Sequence, residues 1–167
     1  MRTPPVHRRS AALLGVFLLG ACAQDAPNDV TIGLRNPTVT LAGTTRFDVG
    51  RFAGDWVTVD CIGSCDAAAR YIVATEGVFV RRAGDEDTPY LIGGPGILRQ
   101  MGGEDTLVVM WVDDGFRTAA IGDAEGRWAA ILNRSADVSP DRINAAKEVL
   151  DFNGWDVSKL MRVKPLV

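Results

Sequence analysis

Two regimes of hydrophobic patterning divide the chain. From Ala11 to Ala21 the residues form one apolar run. From Asp55 onward the apolar segments are short and are separated by clusters of Gly, Pro, Asp and Asn, the pattern of strands joined by turns. Asp55–Asp60, Arg70–Glu76 and Val78–Arg82 read as strands. Asp85-Glu86-Asp87 reads as a charged loop. Thr88–Gly93 and Gly96–Met101 are further strands, broken by a bulge or bend at Gly93-Gly94-Pro95-Gly96. Thr106–Val112 packs Leu, Val, Met and Trp into one run and is the clearest strand. Asp113-Asp114-Gly115 is a hairpin signal. Phe116–Ile121 pairs after it, and a turn at Asp123–Gly126 returns the chain along Arg127–Asn133.

The period then changes once. Ser139 is an N-cap candidate, Pro140 sits at the first helical position, and Asp141 lies in the first turn, where it complements the helix dipole. Ile143, Ala146, Val149, Leu150 and Phe152 form an apolar stripe, and Asn153-Gly154 stops the helix. A last strand is expected over Val157–Val163. Eight short strands, one helix and a final short strand define an all-β fold: an eight-stranded antiparallel up-and-down barrel, whose closure removes the strand edges and leaves room for one small ligand.

The N-terminal run has a different meaning. Arg2, His7, Arg8 and Arg9 precede it. Eleven helical residues span only about 16 Å, short of the roughly 30 Å of a bilayer core. Residues 1–21 therefore read as a signal peptide. The run ends in Leu19-Gly20-Ala21-Cys22, which resembles the bacterial lipobox, where the cysteine receives acyl chains such as palmitate and becomes the new N-terminus. Ala23, in place of an aspartate, implies the periplasmic face of the outer membrane. Residues 22–45 are expected to be a lipidated tether and 46–167 the barrel domain.

Removing the leader changes the chemistry available. It takes away three arginines and no acids, leaving 15 basic against 21 acidic residues, a formal charge of −6. That balance argues against nucleic acid as a partner. His7, the only histidine, goes with the leader. Ser-His-Asp and Cys-His catalysis and histidine-ligated haem are thereby excluded. No cofactor and no metal site are expected.

Arg46-Phe47-Asp48-Val49-Gly50-Arg51-Phe52-Ala53-Gly54-Asp55-Trp56 resembles the entry segment of lipocalins, with their Gly-x-Trp motif at Gly54-Asp55-Trp56. Trp128-Ala129-Ala130-Ile131-Leu132-Asn133-Arg134-Ser135 is similar to the family's last barrel strand, which ends in an arginine. The following helix and Asn153-Gly154-Trp155-Asp156-Val157-Ser158-Lys159-Leu160 are similar to the C-terminal part of bacterial outer-membrane lipocalins. The resemblance spans about residues 46–164. It implies that Arg134 packs across Trp56 and closes one barrel end, a structural role. Val57 departs from the family's usual aromatic, and the trimmed middle strands leave open a small or collapsed cavity.

Cys61 and Cys65 are the only thiols left once Cys22 is lipidated, and an exported chain meets an oxidising compartment. A disulfide is expected; a reactive thiol pair is the alternative, and two thiols alone make no metal site. Tyr71, Met110 and Trp111 are candidate ligand contacts, with parity left open because bulges reset it. Among the strand arginines (Arg70, Arg81, Arg82, Arg99 and Arg117) one inward cation would suit an acidic head group, and Arg99 or Arg117 is the expected one. The function these observations imply is not enzymatic: a membrane-anchored carrier or store for a small hydrophobic ligand, a fatty acid or lysophospholipid. The alternatives are a filled barrel acting in envelope maintenance or protein binding, and a lipid-modifying enzyme.

Overall fold

The computed structural model describes residues 33–75, 77–135 and 137–164. Cys22 lies outside them. A single helical turn, α1 (Val49–Phe52), is capped by the Asp48 carboxylate, which accepts from the Arg51 N–H. Eight strands follow: β1 (Gly54–Ile62), β2 (Ala68–Thr75), β3 (Val78–Ala83), β4 (Glu86–Gly94), β5 (Ile97–Gln100), β6 (Thr106–Val112), β7 (Thr118–Asp123) and β8 (Ala129–Asn133). Each is antiparallel to the next, and β1 pairs with both β8 and β2, so the sheet closes. Helix α2 (Pro140–Phe152) comes after the barrel, and β9 (Met161–Arg162) bonds to β1 outside the ring.

The strand faces sort the apolar residues into two cores. Phe52, Trp56, Tyr71, Phe79, Tyr90, Leu98, Leu107, Val109 and Leu132 fill the barrel. Val59, Ile62, Val108, Met110, Ile131 and Trp155 lie on the outer face beneath Ile143, Ala146 and Leu150 of α2. Small residues admit the helix: Ala120 and Ala129 underlie it, and a Cβ at Gly122 would stand 2.8 Å from the Trp155 ring.

Two of the barrel's register shifts, on β6 and β1, decide which residues of those strands face inward. On β6 the register shifts between Val109 and Trp111, so Met110 and Trp111 both face outward while Val109 and Val112 face in. On β1 a shift between Thr58 and Asp60 does the same for Val59 and Asp60. The extra residue in each strand flips the alternation that simple period-two counting assumes.

Several boundaries differ from the sequence expectation, each for a local reason. The strand expected from Phe116 starts at Thr118. The Asp113 carboxylate gathers the N–H groups of Gly115, Arg117 and Thr118 at 3.3, 2.5 and 2.7 Å, and Phe116 takes a left-handed φ of 54° in the loop so formed. Asp85 is in a tight turn with Gly84, but Glu86 and Asp87 belong to β4. The expected last strand is mostly a 3-10 turn, Val157–Lys159, because Asp156 accepts from the N–H and hydroxyl of Ser158. Ser139 precedes α2 as expected, yet its hydroxyl makes no capping bond. Phe152 is 84% exposed: it lies about 200° around the helix from buried Leu150, on the side away from the barrel.

The stretch read as tether is, from Gly33 onward, laid on the barrel. Arg35 donates to the Asn153 carbonyl at 2.9 Å, the Asn36 N–H to Gly154 at 2.7 Å, and the Thr44 N–H to Val109 at 2.8 Å. Leu34 and Leu41 pack on the outer core.

Buried carboxylates tie the loops down and make an acid-stability prediction. Burial pushes the Asp113 carboxyl up, but the N–H groups of Thr118, Arg117 and Gly115 and the Arg117 guanidinium outweigh it and hold it below the usual carboxylate range. Asp123 is held low against burial in the same way, mainly by the Arg127 side chain and N–H. A carboxylate lowered in the fold stabilises it above its unfolded value of about 3.9 and loses that contribution as pH falls through the folded value. Asp113→Asn and Asp123→Asn are therefore expected to lower Tm at pH 7 and to flatten its decline below about pH 4. An acid limb parallel to the parent's in both variants would contradict this.

Candidate functional site

An up-and-down barrel has two ends, and here they differ in kind. One end is sealed. Trp56 is 1% exposed and donates its indole N–H to the Phe52 carbonyl at 2.8 Å. The Arg134 guanidinium sits 3.8 Å above its ring, a contact worth roughly 0.5–2 kcal/mol. The same guanidinium donates to the carbonyls of Phe116, Asp55, Arg51 and Phe52 at 3.1, 3.0, 2.7 and 3.1 Å. It joins α1, β1 and the β6–β7 loop at one point. Gly54 is required there: its φ is +105°, and a Cβ would stand 3.1 Å from the Arg134 Nη1. Above this seal Phe52, Trp56, Tyr71 and Phe79 stack, with Phe52–Trp56 and Tyr71–Phe79 ring centroids 4.8 and 5.7 Å apart. This half of the barrel is filled.

The other end, formed by the β1–β2, β3–β4, β5–β6 and β7–β8 loops, holds a cavity of about 180 Å³. Its lining includes Cys65, Arg81, Tyr90, Gln100, Asp105 and Trp128. Arg81 is the inward arginine. Its side chain is 16% exposed and donates to Asp66 at 2.5 Å. Tyr71 is its cross-strand partner. The Tyr71 hydroxyl and the Arg81 Nε are both buried, and the two side chains lie against each other as polar neighbours, with no hydrogen bond of good geometry at Nε. Burial pushes the Tyr71 hydroxyl up to about 12, so it keeps its proton.

Of the expected ligand contacts, only Tyr71 faces the barrel interior. Arg99 is exposed, because buried Leu98 beside it takes the inward position. Arg117 is in the β6–β7 loop, 59% exposed and paired with Asp113. Met110 and Trp111 pack on the outer core. The inward cation was legible after all: Phe79 is a core-type aromatic, and Arg81, two residues on, shares its face while Arg82 does not.

Cys61 and Cys65 form a disulfide with a Cα–Cα distance of 6.1 Å. It pins the loop carrying Ser64 and Cys65 at the cavity rim. Closing so short a loop contributes about 2 kcal/mol on the chain-entropy model. The unreduced protein is expected to weigh two hydrogens less than the dithiol form, and reduction to lower stability by about that amount. Two freely alkylated thiols without reductant would contradict the pairing.

No protein-family model matches the chain, and no curated protein matches it. Solved structures do. Apocrustacyanin C1 is 13% identical and superposes with a TM-score of 0.52, covering 76% of this chain and 91% of its own. Lobster apocrustacyanin A1 is 13% identical with a TM-score of 0.53, covering 78% and 93%. The siderocalin Ex-FABP, described as functioning through dual ligand specificities, is 17% identical with a TM-score of 0.51, covering 70% and 92%. With its closed eight-stranded barrel, the helix after it and these structural counterparts, the chain has the lipocalin fold.

Proposed function

We propose that the chain binds and carries a small amphiphilic ligand at the barrel mouth and acts as a carrier rather than an enzyme, anchored to a membrane by acyl chains on Cys22. The mouth cavity carries this reading: one buried guanidinium and two aromatic side chains, Trp128 and Tyr90, line a single recess. Its volume of about 180 Å³ is below the roughly 300–1,000 Å³ of pockets that enclose a drug-sized ligand. Beneath the recess the interior is occupied by the rings of Phe52, Trp56, Tyr71 and Phe79. For a fatty acid or lysophospholipid the recess suits the head group, with the chain held at the rim. The fold neighbour described by its dual ligand specificities is consistent with a binding role.

An anchor at Cys22 would leave at most about 40 Å of extended chain between the acyl chains and Gly33. Ala23 supports the periplasmic face of the outer membrane. Cys22→Ser is expected to move the protein from the membrane fraction to the soluble one; retention in the membrane would overturn the anchor.

The test of function is mass spectrometry of lipids extracted from the purified protein, with a fluorescent fatty-acid titration. Quenching that saturates near one ligand per barrel supports the carrier. The filled half of the barrel favours one other reading, a protein-binding or envelope-maintenance module. No co-purified lipid and no saturable binding would establish that reading over the carrier.

A further inference from the structure

We infer that the mouth selects an organic ammonium ion, free or as the head of a cationic amphiphile, over a carboxylate anion. This rests on the mouth being the ligand site. Asp66, Glu86, Asp105 and Asp123 line the recess. Asp66 is paired with Arg81, and Asp105 and Asp123 share Arg127. Four carboxylates therefore meet two guanidiniums, and Glu86 makes no ion pair among the described residues. Both guanidiniums already serve carboxylates, so an entering anion finds no spare cation. An entering cation finds surplus negative charge, and a recess with low-dielectric walls focuses that field.

Tyr90 points the same way. It is 7% exposed and lines the recess, yet its hydroxyl makes no hydrogen bond among the described residues. Burial pushes that hydroxyl above its ordinary value, against the pull of Arg81 and with the Asp105, Glu86 and Asp123 carboxylates adding to the rise. It therefore keeps its proton at neutral pH and stands among the acidic side chains. Its oxygen is left to accept from whatever occupies the recess, and an ammonium N–H is a donor it can take. The Tyr90 and Trp128 rings add aromatic faces on which a cation can rest. The acids do not gather into a metal site: among the described residues no three His, Cys, Asp or Glu side chains could hold a metal ion. Carboxylates spread around a wall suit instead an ion with a carbon body and several N–H donors, each reaching a different oxygen.

The test is calorimetric titration of the mature protein at neutral pH with three probes that carry different heads on the same hexyl chain: hexylammonium, heptanoate and hexanol. Oleate serves as the long-chain probe. Hexylammonium is expected to bind one per barrel, about tenfold tighter than heptanoate or hexanol, and to weaken as salt is raised. Glu86→Gln is expected to weaken it several-fold. Tyr90→Phe, which keeps the buried ring and removes only the hydroxyl, is expected to weaken hexylammonium several-fold while the melt and hexanol binding stay unchanged, a split that a merely structural role would not produce. Hexylammonium binding about tenfold tighter than ethylammonium would identify an amphiphile as the source; equal affinities would identify a free solute. Heptanoate binding as tightly as hexylammonium, or full hexylammonium affinity in both variants, would overturn the inference. Saturable oleate binding without ammonium binding would overturn it and leave the carrier standing, whereas no binding of any probe would remove both.

Discussion

Trp56→Ala is expected to destabilise the domain by about 3–5 kcal/mol, a fall in Tm of roughly 10–20 °C for a domain of this size. The indole is buried in the sealed end, and its removal has three consequences at once. A cavity opens beneath Phe52, whose ring lies 4.8 Å from it. The Phe52 carbonyl loses the indole N–H. Arg134 loses the ring it covers. Arg134→Lys isolates the last part. Lysine keeps the charge but not the planar fork that reaches four carbonyls, so it is expected to lose part of the stability of the closure and not all of it. Thermal melts of both variants check this; a Trp56→Ala melt unchanged from the parent would show that the seal is not where the barrel's stability resides.

Gly96→Val is expected to cost about 2–6 kcal/mol, combining left-handed backbone strain with overpacking. Gly96 has a φ of +69°, and a Cβ there would stand 2.5 Å from the Val109 carbonyl and 2.9 Å from the Thr44 nitrogen. Neither can give way. The Val109 carbonyl already accepts from Thr44, and the Val109 N–H donates to the Gly96 carbonyl at 2.7 Å. Three segments meet at this point: the N-terminal arm, the β4–β5 turn and β6. Denaturant unfolding measures the effect. A loss below about 1 kcal/mol would mean that the arm does not hold its place against the barrel.

How much was legible in the sequence depended on the range of the interaction involved. Thr106–Val112 and Pro140–Phe152 match the observed β6 and α2 residue for residue. A strong strand run, and a proline start with an Asn-Gly stop, are signals carried by neighbouring residues. Trp56 and Arg134 are far apart in sequence although β1 and β8 are neighbours in the sheet, yet their pairing could be expected because the resemblance makes them fixed points in a recurrent closure. The even pair of cysteines favoured the disulfide over a reactive thiol pair, and the structure shows the disulfide.

The ligand contacts were not legible in the same way. Met110 and Trp111 sit on β6, a correctly placed strand, and still face away from the barrel, because one extra residue between Val109 and Trp111 reverses the alternation. The sequence favours Arg99 or Arg117, whereas among the described strand arginines it is Arg81 that lines the mouth. That choice required the face of each strand, which the Phe79–Arg81 spacing hinted at and the register with Tyr71 decided.

The sequence by itself determined the element order and the barrel class, because each follows from residue type and local spacing, while the sealed end followed from the resemblance of Gly54-Asp55-Trp56 and Arg134 to the lipocalin closure. Only the tertiary structure decided which side chains share the mouth, that aromatic residues fill the half beneath it, and that residues 33–45 lie against the strands. The physical reason is that a strand exposes two faces of equal standing. Local sequence marks its length, but bulges, cross-strand register and the packing of α2 choose which face becomes the inside.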